Sequence, residues 1–128
     1  MTTRILVADD DAGYLFPIRN LFEDYGYEVL EATDRAQVVG HGRNADVWII
    51  DVRLPTGEME GILAVQELVE QGIRPRHPVV FISVIPASFA AEKLAPLNGK
   101  VDYEWVEKPF ELEFLLVKIQ GFLQETAQ

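Results

Sequence analysis

Four places in the chain set residues with usable chemistry directly after an apolar run. Asp9, Asp10 and Asp11 follow ILVA, Asp51 closes VWIID, Ser83 follows VVFI, and Lys108 with Pro109 comes shortly after Val106. Asp9, Asp10 and Asp51 brought together would repel one another, and at least one pKa would rise unless a cation compensated. Oxygen-only donors of this kind suit Mg²⁺, which takes a few carboxylates and keeps several waters. Asp11 has a simpler use as a helix cap.

Residues this far apart in sequence can meet only if strand ends bring them together. Apolar or β-branched runs recur at residues 5–8, 27–30, 47–50, 79–82 and 101–106, and charged residues interrupt the second and fifth. Helical spacing fills the intervals. Leu15, Ile18, Leu21, Phe22 and Tyr25 share one face, as do Ile62, Val65, Leu68 and Val69. Leu112, Leu115, Leu116, Ile119 and Leu123 form the clearest stripe. Gly26 and Gly72 stand where helices should end, and Thr33 or Asp34 where one should start. Pro17 predicts a first helix that begins late or kinks, and residues 86–99, with Pro86 and Pro96, predict at most a short fourth helix. Strands alternating with helices give an α/β fold, a doubly wound parallel sheet covered on both faces. Ligands of such a sheet bind outside the carboxyl ends of the strands, where the four chemical groups lie.

The chain has 128 residues, with 11 Lys and Arg against 21 Asp and Glu, a net charge of −10. That length predicts one domain over residues 1–128. No cysteine is present, which excludes disulfides and thiolate metal sites. The acidic balance argues against nucleic acid and anionic membranes as partners. Apolar runs are too short for a signal peptide or a bilayer span, so a cytoplasmic protein is expected.

The order and spacing of these pieces resemble the receiver domain of bacterial two-component response regulators. The resemblance rests on ILVADDD, on IIDVRLP with Pro55 four residues after Asp51, on the strand-ending FIS and on VEKPF. Each motif alone is weak; all four at the ends of the correct strands are specific. The resemblance implies a flavodoxin-like three-layer sandwich with strand order 2-1-3-4-5. It implies that Asp51 is the phospho-acceptor, and that Asp9, Asp10, Asp51 and the backbone carbonyl of Arg53 hold Mg²⁺. Lys108 then pairs with the acceptor carboxylate and afterwards with the phosphoryl group, across a Lys108–Pro109 bond that is usually cis in this family. Ser83 and Trp105 occupy the switch positions. The implied donor is a sensor histidine kinase or a phosphotransfer protein, and the implied recipient of the signal is a downstream protein effector. Such a domain is no enzyme beyond phosphorylation and dephosphorylation of its own aspartate.

Four departures accompany the match. Val84 stands where Ala or Gly is usual after the switch hydroxyl, and Trp105 replaces the commoner Tyr or Phe. The loop between Asp51 and Gly61 is about two residues longer than usual, and the interval from Ser83 to Lys108, with Pro86 and Pro96, is slightly long. Val84 beside Asp51 raises an alternative, a receiver-shaped interaction module that is not phosphorylated. A phosphatase of the haloacid dehalogenase type also places Asp-x-Asp after its first strand, but needs a larger core or cap. A flavodoxin-like flavin protein shares the fold, but Asp9–Asp11 would repel the flavin phosphate.

At about 100° per residue, Leu115, Leu116, Ile119 and Leu123 fall within about 60° of one line from Leu112. Phe114 falls about 200° and Val117 about 140° away, so both point outward. This pair is the expected partner surface, for an effector or for a homodimer strengthened by phosphorylation.

Overall fold

The apolar runs of β1 (Arg4–Ala8), β3 (Val47–Asp51) and β4 (Val79–Ser83) are buried almost throughout, which places them in the middle of a sheet. The half-buried β2 (Glu28–Ala32) and β5 (Tyr103–Glu107), with their charged residues, form its edges. All pairings are parallel and the order is β2-β1-β3-β4-β5. This computed structural model describes residues 2–127, with side chains through Gln124. The order matches the sequence expectation, and it puts the carboxyl ends of β1, β3 and β4 side by side.

Alternate residues of the strands feed two cores. Leu6, Trp48, Ile50 and Phe81 pack against α2 (Arg35–Gly42), α3 (Glu60–Glu70) and α4 (Ala91–Leu94) through Val38, Ile62, Val65, Leu68 and Leu94. Ile5, Val7, Ile49, Val80 and Ile82 pack against α1 (Ala12–Asp24) and α5 (Leu112–Ala127) through Leu15, Ile18, Phe22, Leu115 and Ile119. Helices on both faces are what bury a parallel sheet.

Caps act where the sequence places them. The Asp11 carboxylate accepts from the Gly13 N–H, and that of Asp34 from the Gln37 N–H. Gly26 and Gly72, just past α1 and α3, have φ of +88° and +80°.

Several boundaries differ from the sequence reading. The first helix starts at Ala12, not late, and Pro17 lies inside it. Proline there removes one bond, to the Gly13 carbonyl, and the Asp11 cap with buried Leu15, Ile18 and Phe22 offsets that loss. Tyr25 leaves the apolar face because the helix ends at Asp24; it is 57% exposed. The Tyr27 N–H bonds back to the Phe22 carbonyl, so β2 begins one residue later. Lys100 and Val101 donate to the Leu97 carbonyl, which delays β5 to Tyr103. The fourth helix is short: α4 has 4 residues between 3₁₀ turns at Ala87–Ala90 and Ala95–Leu97.

At one point the packing admits only glycine. The Gly61 N–H donates to the Val52 carbonyl, and a Cβ at residue 61 would lie 2.0 Å from the Asp51 carbonyl oxygen. This contact brings the start of α3 against the end of β3. Gly61→Ala is therefore expected to cost about 3 kcal/mol or more in urea unfolding, since backbone cannot yield. Gly121→Ala in α5, where a Cβ meets nothing within 4 Å, is expected to gain about 0.5–1 kcal/mol. Equal effects would refute the close-approach account.

Candidate functional site

The end of β1 delivers Asp9, the end of β3 Asp51 and the end of β4 Ser83, and all three are buried. The turn after β5 delivers Lys108 through a cis Lys108–Pro109 bond, and the Lys108 N–H donates to the Ser83 carbonyl at 2.7 Å.

One ammonium joins the carboxylates. Lys108 Nζ donates to Asp9 Oδ2 at 2.8 Å and to Asp51 Oδ2 at 3.1 Å. The second oxygen of each carboxylate accepts from backbone two residues on. Asp9 Oδ1 takes the Asp11 N–H at 2.9 Å and Asp51 Oδ1 the Arg53 N–H at 3.1 Å. Asp10 is exposed, and a carboxylate oxygen from each of Asp9, Asp10 and Asp51 lies within 4.8 Å of the others, a group that could hold a metal ion. A recess of about 490 Å³ opens over them, lined in part by Asp10, Asp51, Arg53, Thr56, Val84 and Lys108.

Burial pushes the Asp51 carboxyl up from 3.8 to about 7, with the Asp9 charge adding to the rise and Lys108 opposing it. Burial pulls the Lys108 ammonium down, but its bond to Asp9 and the charges of Asp51 and Asp9 outweigh that, and its pKa is raised. One cation thus stays charged without fully neutralising two acids.

Ser83 and Trp105 meet at a common backbone unit. Ser83 Oγ accepts from the Ile85 N–H at 3.0 Å, and Trp105 Nε1 donates to the Ile85 carbonyl at 2.9 Å. Val84 between them is 65% exposed at the recess. Phe114 and Val117 are 53% and 65% exposed, as the helical wheel expects. Lys118 Nζ lies 5.2 Å from the Phe114 ring centre and bonds Glu104 of β5.

Sequence reasoning missed two residues here. Tyr14, read as neither core nor site, has its ring centre 4.0 Å from Lys108 Nζ. Thr56 has φ of +81° in the turn closed by Gly57 N–H to the Leu54 carbonyl, a left-handed conformation that costs a β-branched residue about 1–2 kcal/mol. The Pro55-Thr56-Gly57 string is a turn signal, but it does not say that the strained residue lines the recess.

The sequence profile of the response regulator receiver domain matches residues 5–120. The chain belongs to that family. It is 27% identical over 128 residues to the response regulator MprA of Mycobacterium tuberculosis, covering 98% of this chain and 53% of the relative. It thus spans about half the length of the curated relatives it matches. The receiver domain of the Francisella response regulator 1452 superposes with a TM-score of 0.78 at 26% identity, covering 98% of this chain and 99% of that one. A CheY-like receiver domain from Methanospirillum hungatei gives the same TM-score at 23% identity over 99% of this chain and 98% of that one, a likeness of fold. The flavodoxin-like receiver fold and the link to two-component signalling follow.

The raised Asp51 pKa has a testable sign. Between 3.8 and about 7 the native receiver binds a proton at Asp51 that the unfolded chain has lost. That contribution to stability is full below about pH 4 and is lost as pH rises through about 7. Asp51→Asn, a neutral isostere, does not titrate. In metal-free urea unfolding, its stability relative to wild type is expected to climb as pH rises from about 4 to about 8. A difference that stays constant with pH contradicts the assignment.

Proposed function

We propose that this receiver is a phospho-acceptor: Asp51 takes a phosphoryl group from the phosphohistidine of a sensor histidine kinase or phosphotransfer protein, and residues 1–128 act as one signalling unit in the cytoplasm. The observation that carries the proposal is Asp51 paired with one buried ammonium, beside two further carboxylates and an open recess.

The donor set, all oxygen with one exposed carboxylate at the rim, fits Mg²⁺. Asp9, Asp10, Asp51 and the backbone carbonyl of Arg53 would hold it. When bound, Mg²⁺ supplies positive charge against the acceptor carboxylate and the phosphoryl oxygens.

The protein's own groups do the rest. An oxygen of ionised Asp51 attacks phosphorus, and the P–N bond to the donor imidazole breaks. The leaving nitrogen keeps the bond pair and takes a proton from water, and Asp51 becomes an acyl phosphate. The Lys108 ammonium, 3.1 Å from Asp51 Oδ2, turns to the phosphoryl oxygens, and the Ser83 hydroxyl donates its own proton to them. Water later hydrolyses the acyl phosphate, so the chemistry is confined to the domain's own aspartate.

A phosphoryl group adds about −1.5 to −2 charge at this point. Reorienting Ser83 costs it the Ile85 N–H, and Trp105 is tied to the carbonyl of the same residue. The loop after β4 is therefore the element that the two switch residues bias together. Phe114 and Val117, beside β5 on α5, are the proposed contact for a downstream protein effector or a second copy; the −10 charge favours protein over nucleic acid. Val84 at the recess beside Asp51 favours one second reading, an interaction module that is not phosphorylated.

Incubation with Mg²⁺ and a small acyl-phosphate donor, read by intact mass, separates the two. Wild type is expected to gain one phosphoryl group and Asp51→Asn none. Val84→Ala, with less bulk at the recess, is expected to react faster, and Asp10→Asn to need more Mg²⁺. No modification of wild type or Val84→Ala would leave the silent module standing.

A further inference from the structure

An ammonium has three N–H donors, and Lys108 spends them in a fixed geometry. Two sides of Nζ face Asp9 Oδ2 and Asp51 Oδ2, and the Tyr14 ring centre lies 4.0 Å away. The Lys108 side chain is 7% exposed. The ring has support of its own. Tyr14 sits in the first turn of α1, which Asp11 caps, and its ring leans on Phe110 with centres 5.8 Å apart. Phe110 follows the Lys108–Pro109 bond, so the ring is held between the start of α1 and the segment that carries the lysine. Tyr14 makes no hydrogen bond through its hydroxyl among the described residues. What it offers Lys108 is the negative face of an aromatic ring.

We propose that Tyr14 is a positioning residue for phosphoryl transfer, fixing the Lys108 ammonium through a cation–π contact. This role rests on the phospho-acceptor reading of Asp51. A lysine stem is flexible and its ammonium is a strongly hydrated point charge. As phosphorus approaches, the hydrogen bond from Lys108 to Asp51 must be exchanged for one to a phosphoryl oxygen. The ring contact takes no part in that exchange. It holds Nζ in place while the anionic partner changes, and it keeps water from the ring side of the ammonium. An aliphatic residue of similar bulk would fill the space without attracting the charge.

The test compares wild type, Tyr14→Phe, Tyr14→Leu and Tyr14→Met in two measurements. The first, without Mg²⁺ or donor, is the NMR shift of the Lys108 ε-methylene protons, assigned by their loss in Lys108→Arg. Ring current is expected to move them upfield in wild type and Tyr14→Phe, and not in Tyr14→Leu or Tyr14→Met. The second is the rate of Asp51 modification by a small acyl-phosphate donor with saturating Mg²⁺. Tyr14→Phe is expected to match wild type, and the two aliphatic variants to be slower by about 2- to 30-fold, the range a cation–π contact spans. Aliphatic variants as fast as wild type overturn the role of Tyr14 and leave the phospho-acceptor reading intact. So does a Tyr14→Phe variant as slow as they are, or a wild type without the upfield shift. Failure of every variant, wild type included, to be modified overturns the phospho-acceptor reading and this role with it.

Discussion

Lys108 stands between two carboxylates that the sheet buries at its carboxyl edge, and one positive charge serves both. A lone carboxylate at such depth would take up a proton rather than stay ionised. With the ammonium 2.8 Å from Asp9 and 3.1 Å from Asp51, the pair is tolerated, but the balance is one cation short. Burial first, and then the neighbouring Asp9 charge, hold the Asp51 pKa up at about 7 despite Lys108. A second cation at this place is favoured before any question of function arises. A phosphoryl group on Asp51, as proposed, would find an ammonium already in reach.

The rest of the fold serves to hold these groups where they would otherwise repel. Strand order β2-β1-β3-β4-β5 sets the ends of β1 and β3 next to each other, and β4 beside them. Both sheet faces are buried beneath that edge by close-packed side chains. Gly61 lets α3 close on the carbonyl of Asp51, and Arg35 pairs with Glu60 and Glu67 to tie α2 to the same helix. These ion pairs are partly exposed and contribute little stability. Ile85 takes one hydrogen bond from Trp105 and gives one to Ser83, so both residues are tied to the loop after β4.

Most of this was legible in the residues. The central strands declared themselves because burial on both faces leaves unbroken apolar runs, and Asp9, Asp51 and Ser83 fall at their ends. The edge strands were misplaced by one or two residues because neighbouring turns captured Tyr27 and Val101, which pattern alone assigns to strands. Pro17 signals a late start or a kink on local grounds, and with Leu15, Ile18 and Phe22 packed the helix nonetheless starts at Ala12. Tyr14 was invisible for another reason. A single aromatic near a helix start carries no periodic signal, and its contact to Lys108 spans most of the chain. The strain at Thr56 is likewise a matter of φ, which sequence does not display.

The most direct test removes the ammonium and leaves the acids. Lys108→Met keeps the length and bulk of the stem but strips the charge, and its unfolding in urea can be followed with and without Mg²⁺. Without the metal, at about pH 8, the variant is expected to lose about 3 kcal/mol, because two buried carboxylates are left without their partner. Added Mg²⁺ is expected to restore stability to the variant by more than it adds to wild type, since it no longer competes with a resident cation. A variant as stable as wild type without Mg²⁺, or one that Mg²⁺ leaves unchanged, would contradict the claim that this acidic edge depends on cations for its stability.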